Sequence, residues 1–476
     1  MLIDLLNQDY PSKSLDQNQS ELINMYLEGD KAKGKYPVIA LPTPGLTLFC
    51  DTGLANVRDL YEQNGTLYAV AGNKFYSIDS VGVKTELATL NTSTGFAKMV
   101  AITGSSDTNN QIMTIDGTNG YTYNLGTSTA TYPITDVDFP QTCIDITAQD
   151  DYALVVNLNS IAFNLSNVSD TTAWGALDFA SKIGEADRLV GLKSHLSKIW
   201  LFGNKTSEIW YNSGNASFPF ERVPDTFLQY GLAAKRSVIT NKDYLLFLSS
   251  NSKGGFSIVK SQPTIAYVPT TISTQTIDSQ IGSYSTVADA VGSFWTKDGH
   301  EMYELTFPTA DVTYNCDLTS GAINRRQSYN GATYGRFLGS CQAFCYGKNF
   351  VGDYNSGKIY YQDTTAYTEN GTAIRRRFTS PGGALYAGGK RVKIDRLQID
   401  VETGIGSNKT FTLEKSMDNG STWTTVNTYT VPDKGGRIYE NRLGSSRYGI
   451  LFRITTTMDA KFILLGFQAE IGIGHS

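Results

Sequence analysis

Histidine is almost missing from this chain: three residues among 476, at positions 195, 300 and 475. That scarcity leaves little room for a nucleophile–base pair or an imidazole-ligated metal. Cysteine is also sparse, with five scattered thiols at Cys50, Cys143, Cys316, Cys341 and Cys345. An odd, dispersed set reads as reduced and buried, not as a disulfide framework. Cys341 and Cys345 resemble half of a metal site, but no second pair completes it, and no cofactor is expected. Apolar runs are short: the longest, Phe462 to Phe467, is strand-sized, far below the ~20 residues that span a bilayer. The opening Met1-Leu2-Ile3-Asp4-Leu5-Leu6 has neither the basic start nor the apolar core of a signal peptide, so the expectation is a soluble product made in a cytoplasm. A basic surplus is missing too. Forty Lys and Arg stand against 45 Asp and Glu, a net charge of −5. A dedicated nucleic-acid binder would carry the opposite balance, although nucleic acid could still slide past such a surface. There is no G-x-S-x-G elbow, no phosphate-cradling P-loop and no H-E-x-x-H.

What is present favours strands and tight turns. Aromatics make up 12%, charged residues only 18%, and the chain has 28 Tyr and 45 Gly; such a mixture suits pleated sheets joined by positive-φ turns. The central stretch Leu196 to Val238 shows the pattern best. Ile199-Trp200-Leu201-Phe202 turns at Gly203-Asn204 and resumes as Glu208-Ile209-Trp210-Tyr211, a β-hairpin too aromatic to leave either face in water. Similar hairpins recur at 66–78, 112–125, 153–163, 244–259, 294–307 and 344–361. Their spacing of roughly 40 to 50 residues is that of four-stranded propeller blades. No WD or kelch signature accompanies them, and six or seven degenerate blades fit.

Length alone suggests about three domains, but a propeller absorbs several hundred residues as one unit. Residues 1–45 are polar and Pro-rich and read as an N-terminal extended arm, lying over the first β unit or docking onto a neighbour. Residues 46–372 read as the propeller. Around 370–390 the texture changes, with Arg375-Arg376-Arg377, Ser380-Pro381-Gly382-Gly383 and Gly388-Gly389-Lys390-Arg391, as at an inter-domain connection. Residues 373–476 then alternate apolar and polar with period two, which predicts a C-terminal β-sandwich. The fold class is all-β throughout.

Candidate chemistry is thin. Ser416, Asp418, Gly420, Thr422 and Trp423 form an Asp box, a motif familiar from sialidases. Its physics is that of a self-contained turn: Asp418 accepts turn N–H groups, Gly420 supplies positive φ and Trp423 packs beneath. A sialidase propeller would repeat the box in several blades, and it occurs once. Cys50-Asp51-Thr52-Gly53 has the D-T-G of aspartic proteases, which need two such carboxylates; a turn is expected here instead. The sequons beginning at Asn64, Asn204 and Asn215 read as chance in an Asn- and Thr-rich chain. Arg325-Arg326, Arg375, Arg376, Arg377, Lys390 and Arg391 are candidate contacts to DNA phosphates or to another subunit, with subunit salt bridges and solvated turns as the commoner use.

Several residues in order carry a resemblance. The arm contains Asn24-Met25-Tyr26-Leu27-Glu28 and Thr43-Pro44-Gly45-Leu46. Val57-Arg58, Leu67-Tyr68-Ala69-Val70, Gly72 and Phe75-Tyr76 follow. Strongest is Ile199 to Phe202 with Gly203, Glu208, Trp210-Tyr211, Gly214, Phe218-Pro219-Phe220 and Gly231-Leu232-Ala233-Ala234. Across most of the first 310 residues the chain resembles the tail nozzle, or tail hub, proteins of short-tailed bacteriophages, known as packaged-DNA stabilisation proteins. The resemblance implies a structural virion protein without enzymatic activity. It would form a six-copy homo-oligomeric ring below the portal and head-completion adaptor, pass double-stranded DNA through its lumen, be plugged by a needle or tip and carry fibres or tailspikes. A carbohydrate-binding or glycan-cleaving virion protein is the alternative, motivated by aromatic β surfaces and the Asp box.

Overall fold

The computed structural model describes residues 1–11, 19–29, 35–104, 109–185 and 187–474; His475 lies outside them. The chain is almost wholly β. Among the described residues one α-helix occurs, Gln275–Ile281, capped by Thr274.

Seven antiparallel sheets account for 45–363. Blades 1 to 5 are consecutive meanders over 57–89, 98–131, 143–181, 189–228 and 231–271. Blade 6 spans 291–329. Blade 7 takes three strands from 339–363 and its fourth from the N-terminal side, Gly45–Asp51, which pairs with Lys358–Asp363. The innermost segments touch in cyclic order, from Val57–Gln63 around to Gly339–Cys345, which returns against Val57–Gln63. The result is a closed seven-bladed β-propeller, with one predicted hairpin in each blade.

The apolar hairpins have two buried faces because each blade is sandwiched between two others. Ile199 and Leu201 pack with Leu154, Val156 and Phe163 of blade 3. Their neighbours in sequence, Trp200 and Phe202, point the other way onto Leu245 and Phe247 of blade 5. Leu246 and Leu248 in turn face Tyr303 and Leu305 of blade 6. Period-two alternation thus sorts side chains between two cores instead of between core and water, so these strands read as unbroken hydrophobic runs.

Residues 376–473 lie in two further sheets. One has the order 25–29, 38–42, 464–473, 392–401, 438–446, with Leu2–Asp4 also on 464–473. The other contains 376–379, 451–456, 410–416 and 424–430. Their side chains share one apolar cluster, with Leu397 and Phe467 from the first sheet and Leu413, Phe452 and Ile454 from the second. The N-terminal segment is therefore not an arm over the first blade. It supplies strands to both of these sheets, because its apolar residues Leu5, Leu22, Met25 and Ala40 complete that cluster.

Strand Gln19–Ile23 is the joint. Its Leu22 pairs antiparallel with Phe378, and its Ile23 pairs parallel with Arg325 of blade 6. Blade 6 and the distal sheet are consequently one continuous eleven-stranded sheet.

Candidate functional site

The joint collects most of the predicted basic residues. Asn24, at a φ of 54°, donates through Nδ2 to the carbonyls of Gln327 (2.9 Å) and Arg375 (2.8 Å). Its Oδ1 accepts from Gln327 N at 2.9 Å. Asn tolerates this left-handed conformation because its amide can replace lost ladder bonds. Arg325 bridges Asp9 (2.6 Å) and Glu21 (2.9 Å), and Arg377 approaches Glu21 at 3.9 Å. Burial outweighs Arg325 at Asp9 and pushes that carboxyl up to about 6.

Arg375 lies 4.0 Å over the Tyr334 ring and donates to Gln327 Oε1. Arg376 is only 1% exposed and donates to the carbonyls of Met458 and Tyr367, each at 3.1 Å. Burial pulls the pKa of Arg376 down to about 10, and the same cause acts on Arg377. Arg326 is buried as well. It pairs with Glu304 at 2.5 Å and stacks 3.8 Å over Phe337. Arg376 and Arg326 thus hold elements of their own chain and offer nothing to a phosphate backbone. Lys390 and Arg391, by contrast, are exposed in the turn before strand Val392–Val401.

The Asp box closes on itself between strands Thr410–Ser416 and Thr424–Thr430. Asp418 accepts from Thr422 N (2.9 Å), Thr422 Oγ1 (2.6 Å) and Ser416 Oγ (2.7 Å). Those donors hold its carboxyl down at about 2. Gly420, at a φ of 90°, donates its N–H to Ser416 Oγ, and Trp423 Nε1 donates to Gly420 O at 3.0 Å. Arg453 covers the Trp423 ring at 4.0 Å while paired with Glu414. Asp51 makes a similar local turn, accepting from Gly53 N at 2.8 Å. His300 bonds Asp317 at 2.7 Å and packs edge-on to Tyr26, and His195 is buried.

Sequence reasoning missed the propeller axis. There, the bulged inner strands of blades 1 and 3 each carry an aspartate that reaches an adjacent blade's backbone. Asp59 accepts from Met99 N at 2.7 Å and Asp145 from Leu192 N at 2.9 Å. Aligning Val57-Arg58-Asp59-Leu60 with Cys143-Ile144-Asp145-Ile146 shows the shared position. In blade 5 the inner strand is broken by a 3-10 turn, Lys235–Ser237, which delivers Lys235 and Arg236 to the axis. With Lys98 and Lys193 they line a cavity of about 390 Å³.

The fold and its sites define a class: a closed propeller joined edge-on to a second β unit, in which the predicted acids and most of the predicted cations are spent on internal joints and turns. Residues 1–367 match the family described as Bacteriophage P22 Gp10, beta-propeller, and the chain belongs to that family. It is a structural protein of the phage tail, carried in the virion, in a family that builds assemblies with other virion proteins. No curated protein matches the chain. Among solved structures it is similar to the Pan2 WD40 domain of Neurospora crassa, at 10% identity and a TM-score of 0.43 over 67% of this chain and 96% of that one. It is also similar to BamB from Moraxella catarrhalis, at 10% identity and a TM-score of 0.37 over 76% of this chain and 98% of that one.

Proposed function

We propose that copies of this chain form the nozzle, or hub, of a short tail. The ring continues the DNA channel below the portal and its head-completion adaptor, retains packaged DNA and conducts it on ejection. Fibres or tailspikes attach to its flank, and a needle or tip closes it. Family membership over residues 1–367 is the observation that carries this reading.

Physical features support it. The propeller axis leaves a cavity of about 390 Å³, room for a small molecule only, so a duplex must pass between copies and not through one. A ring of six identical subunits needs two unlike surfaces on each copy. The propeller rim and the distal sheets of 373–476, which we read as a β-sandwich completed by the N-terminal strands, offer such a pair. A net charge of −5 suits a conduit that must not grip a polyanion. We assign the chain no reaction: the Asp box acts as a turn stabiliser, and Arg375, Arg376 and Arg377 bind the two β units together. Lys390 and Arg391 remain candidates for contact with another subunit or DNA. Assembly takes place in the host cytoplasm.

Phage particles made without this protein should fill with DNA and then leak it. Deletion particles that stay full and infectious would overturn the reading.

A further inference from the structure

The axial cavity is unbalanced in charge. Lys98, Lys193, Lys235 and Arg236 face two carboxylates, Asp59 and Asp145. Asp145 is already committed, since Lys98 Nζ lies 2.5 Å from its Oδ1 and Leu192 N donates to its Oδ2. Asp59 holds Met99 N. Arg236 donates to the Ser340 carbonyl at 2.8 Å, and Lys235 sits 4.0 Å over the Phe96 ring. The Lys193 ammonium has neither a hydrogen bond nor an ion pair among the described residues, although its backbone is held in the sheet opposite Trp200. Burial, with Lys98 beside it, pulls the Lys193 ammonium down to about 8. Three partly exposed cations with one shared acid, set around one half-open cavity, repel one another, and each retains unused donors. That combination stabilises a guest of opposite charge.

The cavity is also built, not incidental. Lys235 and Arg236 reach it because the 3-10 turn is locked by Ser237. That residue's Oγ donates to Ala234 O at 2.7 Å and accepts from Leu248 N at 3.0 Å. Its carbonyl accepts from the buried Tyr303 hydroxyl at 2.7 Å. Lys193 stands on the inner strand of blade 4, paired with the buried Trp200. The cations are thus set by rigid elements on adjacent blades before any ligand arrives.

We propose that the propeller axis is a binding site for a small oxyanion carrying two or more acidic oxygens, a phosphate or a dicarboxylate, held by Lys193, Lys235 and Arg236. The inference rests on the cavity alone and is independent of the role proposed for the ring.

Thermal unfolding of the full chain at constant ionic strength tests it, with inorganic phosphate or succinate replacing chloride. The wild-type midpoint should rise with the concentration of one or both, as for any ligand of the folded state. A rise with phosphate alone assigns a phosphoryl group, and a rise with succinate alone a carboxylate. K193Q should unfold no earlier than wild type in chloride, because it removes a repelled charge. Its apparent affinity for the anion should fall about tenfold or more, the scale of one charge-assisted hydrogen bond. K235Q reads the same loss should K193Q fail to fold, and K390Q on the exposed turn should behave as wild type. No response beyond matched chloride, or K193Q and K235Q responding like wild type, would overturn the proposal.

Discussion

Replacing Arg326 by methionine (R326M) removes one half of a buried ion pair and leaves the other half in place. Glu304 is 1% exposed, and its Oε1 lies 2.5 Å from Arg326 Nη1. Its second oxygen has only long contacts, Ser293 Oγ and Gln342 Nε2 at 3.4 Å each. Stranding such a carboxylate costs about 3–5 kcal/mol, but the group can escape by taking up a proton. For a free glutamate side chain, with a pKa of about 4.3, taking up a proton costs about 3.7 kcal/mol at pH 7 and about 1.6 kcal/mol at pH 5.5, and that cost caps the loss. The R326M loss should therefore be about 3–4 kcal/mol at pH 7 and shrink by about half at pH 5.5. The sign follows from linkage: in the variant the folded state binds the proton more tightly than the unfolded chain, so stability falls as pH rises. R326M/E304Q should recover more than half of the loss and abolish its pH dependence. Urea titration followed by tryptophan emission is a suitable assay, because the Trp295 ring lies 5.5 Å from the guanidinium carbon. A loss under 1 kcal/mol at pH 7, or an equal loss at pH 5.5 and 7, refutes the argument.

Other substitutions probe closure and joint. Adding a Cβ at Gly357 would place it 2.2 Å from Thr52 Oγ1 and 2.6 Å from the Leu54 carbonyl, so G357A should loosen the closing strand Gly45–Asp51, read as faster proteolysis near residue 50; wild-type cleavage rates would contradict the clash. N24A strips three hydrogen bonds from the joint and forces a residue with less tolerance into the left-handed region, a cost of about 2–4 kcal/mol. N24G should lose less because its backbone is free there, and equal losses would exclude the backbone contribution. Glu369, hydrogen-bonded to Ser328 Oγ at 2.9 Å, is pushed up to about 7 by burial. Its raised folded pKa means its contribution is complete below pH 4.5 and lost as pH rises to 7, up to about 3 kcal/mol. E369Q should flatten that part of the stability profile measured by urea midpoints from pH 5 to 8; an unchanged profile would show that another group titrates.

The chain displayed its repeat plainly. Gly203-Asn204 and the alternating Ile199-Trp200-Leu201-Phe202 identify a hairpin without any long-range knowledge, because turn chemistry and strand pairing act over a few residues. The Asp box was legible for the same reason, since Ser416, Asp418, Gly420 and Thr422 satisfy one another within the turn. Arg376 was not. Its partners are the carbonyls of Tyr367 and Met458, the latter 82 residues away, and three adjacent arginines look alike in sequence whether they face solvent or a core. Lys193 and Lys235 escaped notice because they come from separate blades and converge only at the axis.

Local pattern therefore settled that the molecule is built of stacked two-faced hairpins, since the information sits in neighbouring residues. Only the folded chain decided that Gly45–Asp51 closes blade 7 against residues more than 300 positions away, and that Gln19–Ile23 fuses blade 6 to the distal sheets. An edge strand accepts any partner with a matching row of free backbone groups. Which segment fills that place depends on where the ring brings the ends of the chain and on which apolar residues, here Leu22, Met25 and Ala40, complete a core.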